Sequence, residues 1–129
     1  MAKLVKDIMT LRKRLVILQP HSTIEEARRI MHDRGINSVL IPPAGSSRGV
    51  IWRIFTSTDL LLVLSQGIDL NSVSVQEFAS FARYYAGPEW TAAKAIGEMA
   101  RNGVQHMPVL SDKGELVGVL SSHDLFDNY

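Results

Sequence analysis

The sequence predicts an α+β fold made of two β-α-β-β-α repeats, and three observations predict it. The first is internal recurrence. Thr23-Ile24-Glu25-Glu26-Ala27 returns as Thr91-Ala92-Ala93-Lys94-Ala95, 68 residues on, and at the same spacing Pro20 falls on Pro88, Met31 on Met99 and Gly35 on Gly103. Thr56-Ser57-Thr58-Asp59-Leu60 falls on Ser121-Ser122-His123-Asp124-Leu125 at a spacing of 65. The second is an apolar stripe at helical spacing after each matched threonine, and the third is a set of short apolar runs bounded by turn residues. Recurrence at such a period changes the whole fold prediction, because each copy is read as one structural unit.

The elements follow in order. Residues 5–10, VKDIMT, resemble residues 75–80, VQEFAS, and lead into each copy. A short apolar stretch, Leu15 to Leu18, ends at a proline. Thr23 then offers its hydroxyl to the open N–H groups of a helix, and Glu26 completes a Thr-x-x-Glu capping box. Ile24, Ala27, Ile30 and Met31 form one helical stripe, and Ala92, Ala95, Ile96 and Met99 form the other. Arg34 and Arg101 suit the negative helix ends, and Gly35 and Gly103 supply left-handed stops. A strand is predicted at Ser38–Ile41 or Met107–Leu110, then a turn, then a strand at Val50–Phe55 or Leu116–Leu120. The three-residue difference in spacing lies in the longer turn, Pro42 to Gly49, against Ser111 to Gly114. A last helix is expected to open at Asp59 or Asp124. A link near Gln66–Ser74 joins the copies, which places repeat one at residues 1–68 and repeat two at 69–129.

Composition narrows the function. The 129 residues are 46% hydrophobic and 21% charged, the balance of a globular chain. Fourteen Lys+Arg against thirteen Asp+Glu leave a formal charge of +1, without the one-sided basic face of a nucleic-acid binder. Lys3, Lys6, Arg12, Lys13 and Arg14 read as a solvated N-terminal face. Zero cysteines exclude disulfides, thiolate metal sites and thiol nucleophiles. MAKLVKDIMT lacks the apolar core of a signal peptide, and the run Leu60–Leu64 is about a quarter of a bilayer span. A cytoplasmic, non-membrane chain is therefore expected. The four histidines at 21, 32, 106 and 123 show no paired ligand spacing, so no metal site is expected. No phosphate loop and no nucleophile elbow is present, and the chain is read as non-catalytic. Trp52 and Trp90 read as packing anchors, since no basic groove accompanies them.

The doubled pattern resembles the CBS domain, and the whole chain looks like a stand-alone tandem CBS pair, a Bateman module. VKDIMT before the first strand and the aligned endings Thr56-x-x-Asp59 and Ser121-x-x-Asp124 carry the resemblance, which covers nearly every residue. It implies two repeats packed about a pseudo-twofold axis, sheets back to back, with clefts that take adenosine-containing ligands such as AMP, ADP, ATP or S-adenosylmethionine. No cofactor is required. Asp59 and Asp124 are then the ribose candidates, since a carboxylate can accept both hydroxyls. Thr56 and Ser121 can donate toward a phosphate beside free helix N–H groups. Ile17 and Leu18, or Tyr85 and Ala86, would lie near adenine. Each Asp also has a plainer reading as a first-turn acid behind an ordinary cap.

The two copies are not equal. Gly118 stands where the family often has a small residue that lets ligand approach, whereas Arg53 in the first copy either fills the cleft or offers a cation to phosphate. Thr58 and His123 occupy the place before the Asp where phosphate-binding members often carry Arg. His106 is a further polar candidate beside Met107-Pro108-Val109, and Leu40 stands where Pro108 does. The second copy is expected to be the better site, for AMP or another adenosyl compound. The all-round apolar run Leu60–Leu64 is expected either to be buried within the pair or to form a homodimer seam. The function expected is a ligand sensor acting on a protein effector in trans; the alternative is a ligand-free dimerisation module with vestigial clefts.

Overall fold

A computed structural model of the protein describes residues 3–43 and 51–128. In chain order it contains α1 (Val5–Ile8), β1 (Thr10–Leu11), a 3₁₀ turn (Arg12–Arg14), α2 (Ile24–Arg34), β2 (Ser38–Ile41), β3 (Arg53–Thr56) and α3 (Ser57–Ser65). A second 3₁₀ turn (Val75–Glu77), β4 (Ser80–Phe81), α4 (Ala92–Asn102), β5 (His106–Leu110), β6 (Leu116–Ser121) and α5 (Ser122–Asp127) complete it. The mixture of helices and antiparallel sheets is α+β. The predicted strand over Ser38–Ile41 is reproduced at those bounds. Val50, placed at the head of the next strand, lies outside the described residues, as does most of the long turn before it.

The chain divides into two compact units, and they are not cut at 68/69. One comprises Met1–Leu15 with Arg83–Tyr129, the other Val16–Ala82. The cause is an exchange of the two lead-in segments. VKDIMT does not dock on the repeat it precedes. Val5 N–H donates to the Trp90 carbonyl at 2.8 Å, Lys6 N–H to Pro88 at 3.0 Å, and Ala92 N–H to Lys3 at 2.9 Å. β1 then pairs antiparallel with β6, Thr10 opposite Val119 and Leu11 opposite Gly118, giving the sheet order β1-β6-β5. The other unit repeats the arrangement with the other lead-in. Val75 N–H donates to Ser22 at 2.7 Å, Gln76 N–H to Pro20 at 3.2 Å, and Ile24 N–H to Val73 at 3.1 Å. β4 pairs with β3, Ser80 opposite Ile54 and Phe81 opposite Arg53, giving the order β2-β3-β4. Sequence similarity marks where each lead-in begins; it carries no sign of which strand receives it.

Each unit has its own core. Val16, Ile24, Ala27, Met31, Val39, Ile41, Phe55, Val63 and Val75 fill one, with Ile68, Leu70 and Val73 of the expected link packed against it. That stretch is structural as well as connecting, since Glu25 N–H donates to the Leu70 carbonyl at 3.1 Å. The other core holds Val5, Ile8, Ala86, Ala95, Met99, Met107, Val109, Leu120 and Leu125. The predicted helical stripes therefore face inward, and the predicted stops hold: Gly35 and Gly103 sit at φ 61° and 64°. One cap differs from expectation. The Thr23 hydroxyl accepts from Glu26 N–H at 3.1 Å, but Glu26 does not answer with its carboxylate. The neighbouring Glu25 binds Arg28 and Arg29 at 2.6 and 2.9 Å instead. The Arg28 hydrogen bond foremost, then that of Arg29, holds the Glu25 carboxyl at about 2, below its ordinary 4.5.

The apolar run of α3 is split. Val63 is fully buried and Leu60 packs on the core, whereas Leu61, Leu62 and Leu64 are 66%, 52% and 49% exposed. No helix among the described residues is long and apolar enough to cross a membrane.

Candidate functional site

The hydroxyl-x-x-Asp strings sit at the same place in both units, where a central strand turns into a helix. The helices open two residues earlier than expected: Thr56 and Ser121 are the N-caps, and Asp59 and Asp124 are the third helical residues. Both strings form reciprocal capping boxes. Asp59 Oδ2 accepts from Thr56 N–H at 2.8 Å and from its hydroxyl at 3.1 Å, while Thr56 Oγ1 accepts from Asp59 N–H at 3.5 Å. Asp124 Oδ2 accepts from Ser121 N–H at 2.8 Å, and Ser121 Oγ accepts from Asp124 N–H at 3.2 Å. The capping reading of these aspartates is thus true of the structure, and it leaves a ligand role open. The box engages one oxygen, and the Oδ1 atom of each carboxylate makes no hydrogen bond among the described residues. A carboxylate pinned through one oxygen is pre-oriented to accept through the other.

In the unit Val16–Ala82, Ile17, Leu18, Arg53, Thr56, Thr58 and Asp59 come from three neighbouring stretches. The stretch around Ile17 runs parallel to β2: Leu18 N–H donates to Leu40 at 2.8 Å and Leu40 N–H to Val16 at 2.9 Å. Alternation turns the peptide groups of Ile17 to the other side, where its N–H and C=O make no hydrogen bond among the described residues. Thr58 is exposed in the first turn of α3. Arg53 is already engaged by its own unit. Its guanidinium lies 4.4 Å from the Phe81 ring centroid, and Nη1 donates to the Gln76 carbonyl at 3.1 Å.

In the other unit, Tyr85, Ala86, His106, Gly118, Ser121, His123 and Asp124 are gathered in the equivalent way. Ala86 N–H donates to Pro108 and Leu110 N–H to Ala86, both at 3.0 Å, so this stretch also runs parallel to its neighbour. His106 is half-buried and lies directly opposite Ser121 in the β5–β6 register. His123 is exposed, its ring edge-on to Phe126 with centroids 6.2 Å apart. Gly118 requires a correction. A Cβ there would stand 2.5 Å from the Thr10 carbonyl and 2.8 Å from the Met9 sulfur. The glycine accommodates the chain's own lead-in, and the space beside it is not vacant for a ligand. Sequence reasoning missed these partners, Met9 and Thr10 for Gly118, Gln76 and Phe81 for Arg53, because the lead-ins cross over. Among the described residues no group of three or more His, Cys, Asp or Glu side chains could hold a metal ion.

Comparison with known proteins agrees with this geometry. The CBS domain family matches residues 5–66 and 80–129. An inosine-5'-monophosphate dehydrogenase of Korarchaeum cryptofilum is 31% identical over 98% of the chain, which spans 25% of that enzyme. The CBS domain-containing protein YhcV of Bacillus subtilis is 27% identical over 96% of the chain, which spans 84% of it. Among solved structures, the CBS domain pair of protein MJ0100 in complex with 5'-methylthioadenosine and S-adenosyl-L-methionine superposes with a TM-score of 0.77 at 24% identity, covering 99% of this chain and 96% of that one. CBSX2 in complex with AMP gives 0.74 at 15% identity, covering 97% and 94%. With two matched segments that together span most of its length, each ending in the same capped aspartate, the chain belongs to the CBS domain family as a tandem pair.

Proposed function

We propose that this CBS pair is a regulatory sensor of an adenosine-containing nucleotide, AMP-like or S-adenosylmethionine-like, that acts on a protein effector in trans in the cytoplasm and catalyses nothing itself. The observation that carries the reading is the duplicated capping box, with one carboxylate oxygen per unit, at Asp59 and Asp124, that makes no hydrogen bond among the described residues. The ligands in the MJ0100 and CBSX2 complexes support the choice of class. Asp124 and Asp59 accept ribose hydroxyls; Ser121 and Thr56, with the first-turn N–H groups, face a phosphate or its substitute. Ile17 and Leu18, with Tyr85 and Ala86, border the base. The preference for the second copy drew on Gly118 against Arg53 and on His106 beside Met107-Pro108-Val109; with Gly118 taken by the lead-in and Arg53 held by its own unit, both units are proposed as sites.

Thermal unfolding against AMP, ADP, ATP and S-adenosylmethionine tests this. A ligand at a hundredfold its dissociation constant adds about 2.7 kcal/mol, a rise in midpoint on the order of 5–15 °C. Asp124→Asn and Asp59→Asn keep an oxygen for the cap and remove the charge, so they should diminish the shift without unfolding the protein. No shift with any of the four compounds would sink the sensor reading. The module would then be a ligand-free pairing unit, for which the exposed Leu61, Leu62 and Leu64 of α3 offer a seam between copies.

A further inference from the structure

At the Asp59 site the donors of the capped turn are nearly all engaged. The Thr56 N–H goes to Asp59 Oδ2 at 2.8 Å, and the Ser57 N–H goes to the Asn37 carbonyl at 3.0 Å. The Asp59 N–H points at Thr56 Oγ1, 3.5 Å away. Of the N–H groups that open α3, this leaves the one on Thr58 without a partner among the described residues. The Thr56 hydroxyl is taken as well, since it donates to Asp59 Oδ2 at 3.1 Å. In the other unit the Ser121 hydroxyl makes no such donation among the described residues, so this closure is particular to Asp59. No cation stands in the turn Thr56-Ser57-Thr58-Asp59, and Asp59 brings a negative charge to it. Arg53, just upstream, is held by the Phe81 ring and the Gln76 carbonyl, and Arg28 and Arg29 by Glu25. Arg34, exposed at the end of α2, makes no hydrogen bond or ion pair with the turn among the described residues. A 5'-phosphate brings about two negative charges and a set of acceptor oxygens that call for several donors or a cation. Here it would meet one amide and a carboxylate of its own sign. A ribose asks only for an acceptor, and Asp59 Oδ1 makes no hydrogen bond among the described residues.

Building on the adenosyl-sensor reading above, we propose that the Asp59 site selects adenosine compounds that are neutral at the 5' position, as in a 5'-thioether, and discriminates against 5'-phosphates. The ribose is held by the unengaged Asp59 oxygen. The 5' end is read by exclusion. A small uncharged group leaves the closed cap undisturbed, whereas a phosphate must break the Thr56–Asp59 bonds or lie poorly paired beside a carboxylate. Thr58 sets the preference. It is exposed at the second helical position of α3, where a cation would reverse the balance. A pair with such a site registers an adenosyl thioether against a background of 5'-phosphates.

Titration calorimetry on the Asp124→Asn protein isolates this site. 5'-Methylthioadenosine, one of the ligands in the MJ0100 complex, should bind about tenfold or more tighter than AMP or ATP, and added salt should leave its affinity unchanged. Thr58→Arg should raise the affinity for AMP about tenfold, make it salt-sensitive, and leave that for 5'-methylthioadenosine as it was. If Asp124→Asn unfolds, the wild-type chain is titrated instead, and the site that responds to Thr58→Arg is the one ranked. AMP binding as tightly as 5'-methylthioadenosine, or Thr58→Arg improving both alike, overturns the proposal and leaves the sensor reading in place. Loss of all binding in a folded Asp124→Asn protein, with the wild type still binding, overturns it and restricts the sensor to Asp124. A wild-type chain that binds none of these compounds sinks the sensor reading and the proposal together.

Discussion

The two units solve one packing problem in opposite ways. In each, a two-residue strand from a distant lead-in lies against a central strand, opposite residues two and three positions before the capping hydroxyl. One unit makes room by deleting a side chain, at Gly118, and fills the space with Met9. The other keeps a long side chain, Arg53, shrinks the lead-in to Ala79-Ser80, and holds the guanidinium between the Phe81 ring and the Gln76 carbonyl. The first arrangement is rigid, since backbone oxygen and sulfur leave no slack. The second is adaptable, because an arginine stem can repack. Residues that look like ligand determinants when the repeats are aligned are determinants of docking when the strands are placed.

Substitutions can break or sharpen this contrast. The largest effects should come from the two cores, where the units behave alike. Phe55→Ala, at a side chain with no exposed surface, should cost about 3–5 kcal/mol, and Leu120→Ala, equally buried, about 2–5 kcal/mol in denaturant unfolding. The docking positions should then separate the units. Gly118→Ala should cost about 1–3 kcal/mol, because its methyl meets a backbone carbonyl at 2.5 Å, and should speed amide exchange at Val5 and Lys6. Arg53→Ala should cost on the order of 1 kcal/mol or less, since it removes one stacking contact and one hydrogen bond at a half-buried site. Equal losses at the two positions would refute the rigid-versus-adaptable distinction. The smallest effect concerns Glu25. Its folded pKa lies below its unfolded one, so its contribution is present above 4.5 and disappears as pH falls toward about 2. Glu25→Gln should slightly flatten the acid side of the stability curve and leave neutral pH almost unchanged.

Much of this fold was readable from local chemistry. Threonine caps, glycine stops and apolar stripes act within a single turn, which is why Thr23, Thr91, Gly35 and Gly103 stand where spacing puts them. The capped aspartates were equally legible, because Thr56-x-x-Asp59 and Ser121-x-x-Asp124 recur in register. Glu26 was not, because the choice between answering a cap and yielding to Glu25's arginines depends on side-chain geometry. The destination of the lead-ins was illegible for a deeper reason. VKDIMT and VQEFAS are near-equivalent amphipathic strings, and what distinguishes their docks is one residue on a strand far along the chain, Gly118 or Arg53. Proximity in sequence favours the wrong partner, so the two compact units do not coincide with repeats drawn at 1–68 and 69–129.

The crossed lead-ins also bear on where this molecule can be divided. A cut at 68/69 leaves the first fragment without Val75, a fully buried member of its core, and the second without Val5 and Ile8. Each fragment would expose a vacant strand edge and carry a strand fitted to the other. The one contiguous stretch that keeps its own core and its own added strand is Val16–Ala82, whereas Arg83–Tyr129 stays incomplete until the distant N-terminal segment supplies Val5, Ile8 and β1.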